Sequence, residues 1–225
     1  RKSNPVISRV FVPVTASSPS SWDQLLLPVQ DALRGQKSRP CLTGLHGSAT
    51  AFALTLLTRA DDRSWLIVVD SDEAAERLSN DLRFFHHLLG LSTGPLALFP
   101  EWETLPYEAT PPHVELVARR MRTLHQLTTG QRTLLVTSVP ALLHRMLPRT
   151  VLAGACLRLA PGGTIERDAL IARLLRLGYQ RTSVVEIPGA FSIRGGIVDI
   201  YSTAYDEPLR LELLGDTIES VRLFD

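Results

Sequence analysis

The stretch "CLTGLHGSATAFALTLL", Cys41–Leu57, passes from a short apolar segment through two glycines into an apolar helical pattern. Strand, glycine-bearing turn and helix in that order are the setting of a phosphate-binding loop, where helix N-terminal N–H groups and a lysine hold the phosphates of a nucleotide. Laid on the pattern G-x-x-x-x-G-K-[ST], the first glycine is Gly44. Ala49 then stands at the last glycine, Thr50 at the lysine and Ala51 at the Ser/Thr. Thr50 carries no charge to set against a β- or γ-phosphate, and Ala51 has no oxygen for Mg²⁺. ATP hydrolysis at this loop is not expected. Gly44 and Gly47 also suit an ordinary strand-to-helix turn, so spacing alone leaves a decayed phosphate loop and a plain turn both open.

Outward from that stretch the chain alternates. A helix is expected over Leu25–Leu33, a strand at Pro40–Leu42 and a helix over Ala49–Arg59. The run "WLIVV", Trp65–Val69, is continuously apolar, as in a strand buried on both faces. Ser71, with Ala74 three residues on, caps a helix that reaches Leu89 and stops at Gly90. A strand at Leu96–Phe99, a helix over His113–Leu127, a strand at Thr133–Thr137 and a helix over Val139–Leu147 complete the pattern. Strands and helices at this spacing predict a parallel sheet covered by helices.

The character changes near Pro148. Beyond it come a Pro161–Gly163 turn, a helix over Ile165–Leu177 and strand candidates at Ser183–Ile187, Ile197–Tyr201, Leu209–Leu214 and Thr217–Phe224. Gly215–Asp216 joins the last two as a hairpin. The organisation expected is a lead-in over 1–21, an α/β parallel-sheet domain over 22–149 and a smaller α+β domain with antiparallel strands over 150–225.

Composition narrows the function. The chain has 225 residues, 44% hydrophobic and 21% charged, which is globular. A net charge of +1 gives no broad attraction to nucleic acid or to an anionic membrane. No apolar run reaches the roughly 18 residues of a membrane span. Cys41 and Cys156 lie far apart and in no metal-type cluster, so no metal site and a reducing cytoplasm are expected. Neither His86, His87, His113 nor His125 has ligand spacing, and Asp70, Asp72 and Glu73 read as acids at a helix start. The chain opens on Arg1 rather than methionine, which fits a piece of a longer protein.

Two further stretches carry a resemblance. One is "LFPEWETLPYEATPPHVELVARRMRTLHQL", Leu98–Leu127; the other is "GAFSIRGGIVDIYSTAYDEPLRLELLGDTIESVRLFD", Gly189–Asp225. Together they resemble the N-terminal, UvrB-like region of the bacterial transcription-repair coupling factor family (Mfd). The second stretch follows that family's domain 2 pattern at Phe191, Arg194, Gly195, Asp199 and Ile200, with Tyr201 where phenylalanine is commoner.

The resemblance implies a UvrB domain 1a-like fold whose phosphate loop (Gly44, Gly47, Ala49, Thr50 and Ala51) has lost its function. It also implies a domain 2 that binds the damage-recognition protein UvrA, with Arg181, Phe191 and Arg194 as contact residues. The family's full-length members are ATP-driven DNA translocases that displace stalled RNA polymerase. Their ATP and Mg²⁺ sites, and their contacts to polymerase and DNA, belong to regions outside these residues. Domain 2 in the family also packs against a C-terminal domain. This chain is therefore expected to act as a non-catalytic adaptor without cofactor. Trp102 and Tyr107 are expected to pack on their own domain rather than stack on bases, and Glu103 and Glu108 to be surface acids. A direct DNA-binding domain and an active UvrB-type nucleoside triphosphatase are the alternatives.

Overall fold

The computed structural model describes residues 11–13, 22–35, 39–91, 96–103 and 111–224. The chain divides into two compact units, Arg1–Ala97 with Arg132–Val136, and Leu98–Gln131 with Thr137–Asp225. It is of mixed α/β class, with a parallel three-stranded sheet and a separate, mostly antiparallel five-stranded sheet.

In the first unit, β1 (Phe11–Pro13) pairs in parallel with β2 (Cys41–Thr43), Phe11 opposite Cys41 and Pro13 opposite Thr43. The lead-in expected over 1–21 therefore contains a strand. Its Pro- and Ser-rich surroundings give no period of two, and only the partner strand supplies the signal. Helix α1 (Trp22–Gly35) turns Leu26 and Val29 inward onto Ala53, Leu56 and Leu57 of α2 (Ala49–Arg59). Their spacing of three to four residues puts each set on one helical face.

Strand β3 (Trp65–Val69) departs from expectation. Leu66 and Val68 are 57% and 43% exposed, so the strand is not buried on both faces. It lies at the edge of the sheet β3-β5-β4, formed with β4 (Leu96–Phe99) and β5 (Leu134–Ser138). Continuous apolar composition cannot by itself say whether both faces of a strand are covered.

Helix α3 (Asp72–Leu88) begins as its sequence indicates: Ser71 Oγ accepts the Ala74 N–H at 3.2 Å, and Asp72 and Glu73 sit at the positive end of the helix dipole. Arg132 closes the other end of the α2 region. Its guanidinium donates to the carbonyls of Thr58, Asp61 (2.6 Å) and Arg63 (3.3 Å).

His86, buried on α3, has its pKa held below the ordinary imidazole value, first by burial and then by the charge of Arg132. The unfolded chain thus takes up a proton that the folded chain resists. The contribution of His86 to stability is complete above about pH 6.5 and is lost as the pH falls below it. Urea midpoints at about pH 7.5 and about pH 5.5 are expected to differ in that direction, and His86→Leu is expected to narrow the difference.

In the second unit, α4 (Val114–Thr128) carries Arg122, whose guanidinium pairs with Asp206 and donates to the carbonyls of Tyr205 (2.8 Å) and Thr203 (3.3 Å). Helix α5 (Val139–Leu143) is shorter than the expected 139–147, because His144 turns to an extended ψ of 143°. A second short helix, α6 (Arg149–Ala155), follows where none was expected. Helix α7 (Arg167–Arg176) precedes β6 (Gln180–Arg181), β7 (Ala190–Arg194), β8 (Ile197–Ile200), β9 (Leu209–Leu214) and β10 (Thr217–Leu223). The order is β10-β9-β8-β7-β6; β6 runs parallel to β7, and every other pair is antiparallel. Residues 183–187, expected as a strand, are loop, and Ala190–Arg194 takes the place beside β8. Gly195 and Gly196 let β7 turn straight back, whereas a strand at 183–187 would need a long connection to reach the same partner. Leu170 and Leu174 of α7 pack on Phe191, Val198, Ile200, Leu211 and Ile218 to form this unit's core.

Candidate partner-binding surface

The hairpin β7–β8 is closed by a tight turn. Arg194 pairs with Ile197 across the two-residue turn Gly195–Gly196. Gly195 takes φ +62°, which side chains disfavour at this turn position. A Cβ on Gly196 would stand 2.5 Å from the Leu213 carbonyl oxygen, and the Leu213 N–H donates to the Gly196 carbonyl at 2.7 Å. Both glycines are therefore set by geometry.

Arg194 is exposed at the end of β7, and its Nη2 donates to the Ser183 carbonyl at 3.0 Å. The Ser192 hydroxyl donates to the same carbonyl at 3.3 Å. One oxygen thus anchors the 183–188 loop to the hairpin and fixes where the guanidinium stands. The remaining guanidinium donors suit a planar, bidentate acceptor such as a carboxylate.

Register separates the three expected contact residues. Phe191 opposes Ile200 and Ile193 opposes Val198, on the face that α7 covers; Ser192 opposes Asp199 and Arg194 opposes Ile197 on the other face. Arg181 opposes Phe191 in the parallel pair, so Arg181 and Phe191 share a face and Arg194 lies on the opposite one. Phe191 is 0% exposed. The expectation that Phe191 touches a partner gives way to a core role, because alternation within β7 turns it toward Leu170 and Leu174. Arg181 is exposed on the edge strand β6.

On Arg194's face the strands carry a charge network that sequence reasoning did not identify as such. Asp199, buried, receives two bonds from Arg210, at 2.6 and 2.8 Å, and that pairing raises the pKa of Arg210. The Arg210 guanidinium also lies 4.5 Å from the centre of the Phe224 ring. Glu212 accepts from Ser220 at 2.7 Å and from Arg222. Part of the signal was available in the period-two run "LRLELL", which puts Arg210 and Glu212 on one face; in "TIESVRL" a register shift between Ile218 and Ser220 brings Ser220 and Arg222 opposite them.

The other expected residues are placed as follows. Gly44 and Gly47 adopt φ +80° and +56° between β2 and α2, Ala49 opens the helix, and Ala51 is fully buried. No charged side chain stands at Thr50, the lysine position of the pattern. Trp102 packs against Arg120, whose guanidinium lies 4.3 Å from that ring and 4.0 Å from the Phe99 ring, and donates to the Pro100 carbonyl. Trp102 is therefore held by its own unit, as expected. Tyr107 and Glu108 lie outside the described residues. Among the described residues no helix is long and apolar enough to cross a membrane.

Residues 157–225 match the family described as the UvrB interaction domain. Over a larger part of its length the chain is similar to transcription-repair-coupling factors. It is 42% identical to that of Myxococcus xanthus over 200 residues, covering 88% of this chain and 16% of the relative. To that of Bacillus subtilis it is 31% identical over 184 residues, covering 82% and 15%. To that of Escherichia coli it is 33% identical over 151 residues, covering 67% and 13%. The chain thus spans no more than 16% of the length of these relatives.

Proposed function

Because this chain is homologous to the transcription-repair-coupling factors and carries a UvrB interaction domain over residues 157–225, we propose that it is the adaptor part of such a factor and recruits UvrA for nucleotide excision repair. One observation carries the reading. The matched residues form the five-stranded sheet, and its β7–β8 hairpin presents an exposed, positioned arginine, Arg194, beside the charge network of Asp199, Arg210, Glu212 and Arg222. Arginine is among the residue types that dominate interface energies. In this reading Arg194 is the primary contact, Arg181 a contact at the sheet edge, and Phe191 the core residue that holds β7 in register.

The part over 22–149 serves as scaffold and does not hydrolyse nucleotide. Thr50 offers no charge to a phosphate, and Ala51 is buried without a metal-binding oxygen. Nucleotide-driven movement on DNA and displacement of stalled RNA polymerase belong, in the same proposal, to parts of a longer protein that this chain does not include.

Titration of this chain with UvrA from the same organism tests the reading. Binding at about micromolar Kd or tighter is expected, and Arg194→Glu is expected to weaken it at least about tenfold, with circular dichroism unchanged. Binding that is indifferent to Arg194→Glu would move the contact away from the hairpin.

A further inference from the structure

From Leu116 to Ile165 the sequence holds seven arginines and neither aspartate nor glutamate, although the whole chain carries only +1. Several of these arginines are engaged: Arg120 against Phe99 and Trp102, Arg122 with Asp206, Arg132 on three carbonyls. Arg145, Arg149 and Arg158 are exposed and take part in none of the ion pairs among the described residues.

The same segment exposes apolar side chains. Over α5, α6 and the irregular segment between them, Val139, Leu143, Met146, Leu147 and Val151 face solvent, Leu143 at 81% exposure and Val151 at 53%. These residues are held in place. Within the same segment Ala141 and Leu152 are buried, Ser138 Oγ accepts the Ala141 N–H at 3.2 Å, and Arg173 donates to the carbonyls of Gly154 (3.2 Å) and Cys156 (3.0 Å). Clustered exposed apolar groups with a charged rim mark a surface that a partner covers.

We infer that residues 139–158 are a docking surface for an acidic amphipathic helix of a partner protein, its apolar side chains meeting Leu143, Met146 and Val151 and its carboxylates meeting Arg145 and Arg149. Charge complementarity selects this occupant. A second copy of the same surface would bring arginine against arginine, which like-charge repulsion opposes. A nucleic-acid backbone would satisfy the arginines and leave the leucines, methionine and valines uncovered. An amphipathic helix presents apolar anchors on one face and carboxylates along its flanks, and so answers both features. This inference is independent of the UvrA reading and uses other residues.

The probe is a fluorescein-labelled synthetic peptide of about 18 residues with leucine at helical i, i+3, i+4 and i+7 positions and glutamate between them. Its control has the same composition with the leucines scattered. Saturable anisotropy is expected with the amphipathic peptide and not with the control, and backbone amide NMR shifts are expected to concentrate at residues 139–158. Both Arg145→Glu/Arg149→Glu and Leu143→Ser/Met146→Ser are expected to weaken binding at least about tenfold with circular dichroism unchanged, and added salt to weaken it further. The inference is overturned if the amphipathic peptide fails to saturate, if the scattered control binds equally, or if neither double variant weakens binding. It is equally overturned if a DNA duplex moves the same amides at lower concentration than the peptide, or if sedimentation shows self-association that Leu143→Ser/Met146→Ser abolishes.

Discussion

Phe191→Ala is expected to lower the unfolding free energy by about 3–5 kcal/mol, the cost of removing a large aromatic side chain from a packed core. Phe191 is fully buried on β7, in register with Ile200 on one side and Arg181 on the other, and packs with Leu170, Leu174 and Val198 beneath α7. Strands flank it on both sides and a helix covers it, so the cavity has little room to collapse. Urea unfolding followed by circular dichroism reads the loss directly. The conservative Phe191→Leu keeps most of the volume and is expected to cost less than about 1.5 kcal/mol. In the proposed reading it also leaves UvrA binding unchanged. A Phe191→Ala chain as stable as the wild type would contradict the core assignment. A stable Phe191→Leu chain that failed to bind would restore Phe191 as a contact.

Arg120→Ala is expected to cost about 2–4 kcal/mol, from the lost packing of a buried side chain, two lost cation–ring contacts and a carbonyl deprived of its charged donor. The side chain is 1% exposed, stacks on Phe99 and Trp102 and donates to the Pro100 carbonyl. Its loss removes two ring contacts and leaves a carbonyl to find a new donor. Trp102 loses the cation beside its ring, so tryptophan emission is expected to shift before the chain unfolds in urea. Emission unchanged from wild type, with stability intact, would contradict the packing of this loop on its own unit. Arg120→Lys keeps the charge but not the flat guanidinium, and is expected to recover only part of the loss.

The elements that the sequence makes legible are those whose signals are local. Helix α2 follows directly from the glycines before it, α3 from the Ser71 cap and the acids after it, and β9–β10 from Gly215–Asp216. Two of the strands missed are defined by their pairing, β1 with a strand distant in the chain and β7 with its hairpin neighbour. Strand β1 is only three residues long and exists through its pairing with β2. Strand β7 looks, in "GAFSIRGG", like turn residues around a single aromatic, and its identity lies in the pairing with β8.

The candidate surface follows the same division. Arg194 and Gly195 could be singled out from the sequence, because both fall on the domain 2 pattern that the chain resembles. Which face each residue takes could not. A period of two fixes faces only once the strand's limits are known, and with β7 unassigned the opposition of Arg194 to Phe191 was invisible. The Asp199–Arg210 and Glu212–Arg222 pairs likewise needed the registers of β8, β9 and β10, since each joins residues ten or eleven apart in sequence.

The most direct test of the central claim is calorimetric titration of UvrA with this chain and, in parallel, with Arg194→Glu. The account predicts saturable binding by the wild type and at least about a tenfold loss in the variant at unchanged fold. UvrA binding that is equal in the two chains, or absent from the wild type while the chain is folded, would contradict it.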